Sequence, residues 1–83
     1  MARVTVTLYA TFREAAGKGT ISFDAEDLDG LLASLRGSSS NLAKAMETAG
    51  GFVVLVNGRN TRELRQEFVD GDEVAVFPPV SGG

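Results

Sequence analysis

The residues of this chain best suited to chemistry are its last seven, Phe77-Pro78-Pro79-Val80-Ser81-Gly82-Gly83. Two glycines without a Cβ can thread a channel too narrow for any other residue. The two prolines favour an extended geometry that holds the final residues away from a globular body. The bland alternative is a frayed end of small residues, which most domains tolerate. With Gly at about 7% of an average chain, a terminal pair arises by chance about 0.5% of the time. At this chain's own ten glycines in 83 residues the figure rises to about 1.5%. The pair therefore gains meaning only from the fold that presents it.

Little else in the sequence offers reactive groups. There is no Cys, which excludes a disulfide framework, a thiolate zinc site, an iron–sulfur cluster and a cysteine nucleophile. There is no His, the commonest general base and metal ligand. Asp24, Glu26, Asp27 and Asp29 read as charges favouring a helix N-terminus rather than as a metal site, and Asp70-Gly71-Asp72-Glu73 reads as a turn. Arg59, Arg62 and Arg65 form a basic group that fits either a solvated face or an acidic partner. Lys18 and Lys44 are the only side-chain amines. Eleven acidic against eight basic residues give a net charge of −3, so no sequence-wide attraction draws the chain to nucleic acid. The longest apolar run, Phe52-Val53-Val54-Leu55-Val56, is far too short to cross a membrane. Met1-Ala2-Arg3 leads directly into an alternating segment, so no secretory leader is expected and the cytoplasm is the default compartment. Eighty-three residues allow one small domain that buries about 60% of its unfolded surface, without a deep walled cleft. Such a chain is badly equipped to be a free-standing enzyme.

The elements that must position the tail follow from periodicity. Arg3 to Tyr9 alternates, with Val4, Val6 and Leu8 on one face of a strand and Thr5, Thr7 and Tyr9 on the other. Ala10 to Gly19 reads as a long hairpin connection carrying one helical turn at Phe12–Ala16, followed by a short antiparallel strand at Thr20–Phe23. Asp27 is an N-cap candidate for a helix whose apolar face is Leu28, Leu31, Leu32 and Leu35, weakened by Gly30 by about 1 kcal/mol. Gly37-Ser38-Ser39-Ser40 breaks the chain, and a shorter helix with Leu42, Ala45, Met46 and Ala49 on one face follows, ending at Gly50-Gly51. Phe52–Val56 is apolar on both faces, as in a strand that is doubly covered or meets a partner. Asn57-Gly58 is a type I′ hairpin signal. Arg59 to Phe68 reads weakly, and Glu73–Phe77 is a last alternating strand stopped by Pro78-Pro79. The expected fold is α+β: a mixed sheet of four to five strands packed on one main helix plus a short second helix. That order matches the ubiquitin-like β-grasp, in which the first strand lies parallel beside the last. The expected domain spans residues 1–77, with 78–83 expected to be a flexible tail.

Leu8-Tyr9-Ala10-Thr11-Phe12-Arg13-Glu14-Ala15-Ala16-Gly17 and Asp70-Gly71-Asp72-Glu73-Val74-Ala75-Val76-Phe77-Pro78-Pro79-Val80-Ser81-Gly82-Gly83 resemble the two signatures of the MoaD/ThiS family of sulfur carriers. The Phe-Pro-Pro-Val and Gly-Gly elements bring the chain nearer the small subunit of molybdopterin synthase and the small archaeal modifier proteins than the thiamin branch. The stretch from Gly37 to Gly51 matches only in pattern. The resemblance implies a carrier, not a catalyst. Gly83 would be adenylated by a partner resembling ubiquitin-activating enzymes and then converted to a thiocarboxylate or joined to a lysine. Pro78, Pro79, Val80, Ser81 and Gly82 would enter the partner's channel. The chain itself would bind no cofactor, ATP being used by the activating partner. The second partner would be a molybdopterin synthase large subunit or the lysines of target proteins. Tyr9, Ala75 and Phe77, on the sheet face beside the tail, are the expected docking patch, against the bland alternative of a solvated face with two stray aromatics.

Overall fold

A computed structural model describes residues 1–79. Five strands form one sheet: β1 (Ala2–Leu8), β2 (Thr20–Ala25), β3 (Val53–Val56), β4 (Arg59–Asn60) and β5 (Glu73–Phe77). Their order across the sheet is β2-β1-β5-β3-β4. β1 runs parallel to β5, and every other neighbouring pair is antiparallel. Three helices lie on one face: α1 (Ala10–Ala16), α2 (Leu28–Ser38) and α3 (Ser40–Thr48). The expected mixed sheet with β1 beside the last strand is therefore present, with five strands.

Two expectations about the helices need correction. The connection after β1 does join an antiparallel pair, but it carries a helix of two turns, Ala10–Ala16, rather than a single turn. Its signal was faint because Ala10–Ala16 holds only one large apolar residue, Phe12, and one residue has no period. Phe12 is nonetheless fully buried. Gly17 ends the helix in the left-handed region, at φ 74°, where its N–H donates to the Arg13 carbonyl. The chain break between the other two helices is also narrower than Gly37–Ser40. α2 continues through Gly37 and Ser38, and Ser39 alone separates it from α3. The Ser39 side chain accepts from the Leu42 N–H at 3.2 Å and so caps α3. Asp27 caps α2 as expected, accepting from the Gly30 N–H at 2.9 Å.

One core joins the two layers. Val4, Val6 and Leu8 of β1 and Val74 and Val76 of β5 meet Leu28, Leu31 and Leu35 of α2 and Leu42 of α3, all at most 1% exposed. Phe12, Leu32, Met46, Val54, Val56 and Phe68 belong to the same core. Phe68 lies in the segment that reads weakly as sequence. Its N–H donates to the Glu26 carbonyl at 3.0 Å, which carries the loop before β5 under the start of α2. Asn57 and Gly58 turn the β3–β4 hairpin with φ of 50° and 85°, both positive as a type I′ turn requires.

Glycine placement in α2 makes a stability prediction. A Cβ at Gly37 would meet nothing within 4 Å, so Gly37→Ala should stabilise the fold by about 0.5–1 kcal/mol. At Gly30 the added Cβ would come 3.2 Å from the Asp27 Oδ1 that caps the helix, so Gly30→Ala should gain less. Phe12→Ala should cost about 3–5 kcal/mol. Urea unfolding midpoints of the three variants check this order.

Candidate functional site

The face of the sheet away from the helices carries the site, and the register of β1 and β5 builds it. Thr5 lies opposite Glu73 and Thr7 opposite Ala75. One step further along, Tyr9 and Phe77 meet edge to face with ring centroids 5.6 Å apart and planes at 83°. This geometry places the electropositive edge of one ring against the face of the other. The Tyr9 N–H donates to the Val76 carbonyl at 3.3 Å, which pins the end of β1 beside the exit of β5. Tyr9 is 47% exposed, and Phe77 is half-buried outside the core.

β3 widens the surface. Val53 pairs with Phe77 and Leu55 with Ala75, and both β3 side chains are half-buried. Two rows result, one of Tyr9, Phe77 and Val53 and one of Thr7, Ala75 and Leu55. The three expected docking residues, Tyr9, Ala75 and Phe77, thus share one face. Val53 and Leu55 join them; their doubly apolar strand was legible in the sequence, but its place beside β5 was not. A shallow depression of about 430 Å³ lies across this face between Tyr9, Leu55, Asn57 and Glu73.

The far end of the face is held by a polar clasp. Asn57 Nδ2 donates to Asp72 Oδ1 at 3.0 Å, and Asn57 Oδ1 accepts from the Glu73 N–H at 2.9 Å. Asp72 Oδ2 accepts from the Val69 N–H at 2.9 Å. These bonds, first from Val69 and then from Asn57, hold the Asp72 carboxyl below its ordinary value. The clasp ties the loop before β5 to the β3–β4 turn and so fixes where β5 begins.

Pro78 and Pro79 follow β5 outside regular structure, the first half-buried and the second exposed. Val80, Ser81, Gly82 and Gly83, the rest of the expected channel-entering tail and its reactive end, lie outside the described residues. Among the described residues no group of three or more acidic side chains converges as a metal-ligand set, and no buried side-chain polar atom lacks a partner. No helix among them is long and apolar enough to cross a membrane.

The sequence matches the ThiS family over residues 6–83. The chain belongs to that family. Among its relatives, small archaeal modifier protein 3 of Haloferax volcanii is 36% identical, over 90% of this chain and 92% of its own length. The molybdopterin synthase sulfur carrier subunit of Chlamydomonas reinhardtii is 34% identical, over 98% of this chain and 99% of its own. The solution structure of small archaeal modifier protein 1 from Methanosarcina acetivorans superposes with a TM-score of 0.87 at 34% identity, covering 100% of this chain and 98% of that one. These matches carry the ubiquitin-like β-grasp identity of the fold and place this ThiS-family chain among small carrier and modifier subunits.

Two predictions follow from the geometry. Phe77→Ala removes an exposed-face ring contact and partial burial, so it should cost about 1–2 kcal/mol of stability, well below the loss for Phe12→Ala, as thermal melts would show. Asp72→Asn bears on pH. Because the Asp72 carboxyl ionises more readily folded than unfolded, its contribution is full above the ordinary Asp range and is lost as pH falls through the lowered folded value. The stability gap between wild type and Asp72→Asn should therefore be constant above about pH 5 and shrink below about pH 4. Unfolding titrations across that range measure it.

Proposed function

We propose that this protein is a ubiquitin-like sulfur carrier acting as the small subunit of a molybdopterin synthase. In this role Gly83 is activated by adenylation and then carries the sulfur used in molybdenum cofactor biosynthesis. The observation that carries the reading is the pairing of β5 with β1, which ends in the Tyr9–Phe77 contact at the root of the Pro-Pro-Val-Ser-Gly-Gly segment. The apolar patch leads directly into the sequence that a partner would engage, since Phe77 precedes Pro78.

The chemistry asks little of the carrier. A free carboxylate is a poor electrophile, because it is resonance-stabilised and would have to expel oxide. Attack of the Gly83 carboxylate on the α-phosphorus of ATP gives an acyl-adenylate and pyrophosphate, and AMP becomes the leaving group. The terminal sulfur of a donor's persulfide displaces AMP to give an acyl disulfide, and a second thiol of the partner attacks the donor sulfur of that S–S bond, forming a disulfide with the donor and releasing the thiocarboxylate. Its sulfur is nucleophilic at neutral pH and can be passed to an acceptor in a partner's active site. The partner, an adenylyltransferase resembling ubiquitin-activating enzymes, supplies ATP and catalytic groups. The carrier supplies a docking face at Tyr9, Ala75 and Phe77 and a tail slim enough to enter. No His or Cys is needed on the carrier for any of these steps.

A second reading is favoured by the relatives named as small archaeal modifier proteins. In it a lysine ε-amine of a target protein displaces AMP instead, forming an isopeptide bond to Gly83. Both routes share the adenylate and diverge at the nucleophile.

Intact mass of protein purified from its own cell tests the first reading, which expects an oxygen-to-sulfur increment at the C-terminus. Deleting Gly83 should change stability by less than about 0.5 kcal/mol yet abolish thiocarboxylation, because the new carboxylate falls about 3.5 Å short of the catalytic position. Gly82→Ala should act in the same direction less completely. A deletion variant that is still adenylated and sulfurated at the normal rate sinks this proposal. Higher-mass species lost on deleting Gly82-Gly83, without the sulfur increment, would favour the modifier.

A further inference from the structure

The two edges of the sheet are built differently. β4 closes one edge with only two residues, Arg59 and Asn60, both exposed. A short strand bearing a cation is a standard defence against unwanted strand pairing. β2 closes the other edge with six residues, Thr20–Ala25, and contains no Pro, Lys or Arg. No such defence is present there.

The register shows which backbone groups of β2 are free. The Leu8 N–H donates to the Gly19 carbonyl at 2.8 Å, which makes Leu8–Gly19 a hydrogen-bonded antiparallel pair. Alternation along the ladder then turns the amides and carbonyls of Ile21, Phe23 and Ala25 toward β1. Those of Thr20, Ser22 and Asp24 turn outward. All three residues are exposed, and among the described residues no backbone hydrogen bond reaches these outward groups. Ile21 and Phe23, opposite Val6 and Val4, are half-buried on the helix side of this edge, where α2 packs against β2. The edge thus offers main-chain donors and acceptors beside two partly uncovered apolar side chains.

The charges around it are of one sign. Asp24, Glu26 and Asp29 are exposed along the end of β2 and the start of α2, with Asp27 half-buried among them. The one ion pair nearby is Arg3 with Asp24 at 3.3 Å, between side chains 62% and 59% exposed, which a competing cation can displace at little cost. We propose that the β2 edge is a docking site for an extended, basic segment of a partner protein, which adds to the sheet as a sixth strand. The main chain supplies affinity, alternate apolar side chains cover Ile21 and Phe23, and Lys or Arg residues meet the acidic end. The site is separate from the Tyr9–Phe77 face and does not depend on the chemistry of Gly83. A partner could hold this edge while the tail is engaged elsewhere.

A synthetic hexapeptide alternating lysine and valine, titrated into the full-length isotope-labelled protein, tests the proposal. Amide shifts should centre on Thr20, Ser22 and Asp24, and their hydrogen exchange should slow. Replacing the lysines by glutamates should weaken binding by about tenfold. Ser22→Pro removes an outward donor without touching the β1 ladder and should also cost about tenfold. A peptide methylated on alternate backbone nitrogens makes the same test on the unaltered protein, should Ser22→Pro fail to fold. Binding that survives both changes, shifts centred on Tyr9 and Phe77, or no binding at all would overturn the proposal. So would edge protection that appears without peptide and grows with protein concentration, since the occupant would then be a second copy of the chain.

Discussion

The parallel pairing of β1 with β5 is the interaction on which the rest of the structure depends. It joins Thr5 to Glu73 and Leu8 to Val76, across almost the whole chain. The Thr5 N–H reaches the Asp72 carbonyl at 3.1 Å, and the Gly71 N–H reaches the Arg3 carbonyl at 3.0 Å. Parallel neighbours cannot be joined by a tight turn, so everything between them is a crossover. The helices must lie on one face to bury Val4, Val6, Leu8, Val74 and Val76. The other face is left open by the same constraint, with Tyr9 and Phe77 where the pairing ends.

That division explains why so much of the molecule was legible as sequence. Strict alternation in Arg3–Tyr9 and Glu73–Phe77 reports one buried and one open side, whatever the tertiary detail. Leu28, Leu31, Leu32 and Leu35 report α2 in the same way. The cap at Asp27 and the turn at Asn57-Gly58 are local, since each depends on residues within reach of one another. What periodicity does not carry is a helix of seven residues with one large apolar anchor. α1 is held by the burial of Phe12 under other elements and by Gly17 at its end, and neither leaves a repeat in the sequence. Phe68 is buried because the backbone around Glu26 and Gln66 draws its loop under α2, a long-range fact. For the site, the expected neighbours Tyr9, Ala75 and Phe77 follow from the parallel register. Val53 and Leu55 enter only once β3 is known to lie on the far side of β5.

The interior holds no polar or charged residue buried away from solvent among the described residues. A core of aliphatic side chains, Met46 and the two phenylalanines Phe12 and Phe68 can be stable at this size, and among the described residues it holds no hidden acid–base pair. Among the described residues the polar and charged groups therefore all lie at or near the surface. The Asn57–Asp72–Glu73 clasp belongs to this arrangement, since its hydrogen bonds are exposed and serve to set the start of β5.

The position of β5 also orders events during synthesis. β1 is made first but stays without its central neighbour until Glu73–Phe77 has left the ribosome, because no earlier segment occupies that place in the sheet. Contacts this distant in sequence form late, after the intervening loop has been closed. Completion of the core therefore waits on one of the last elements of the domain to be made. A chain released before β5 is made lacks the strand that joins β1 to β3, so such a truncated product has no complete sheet on which the helices can close the core.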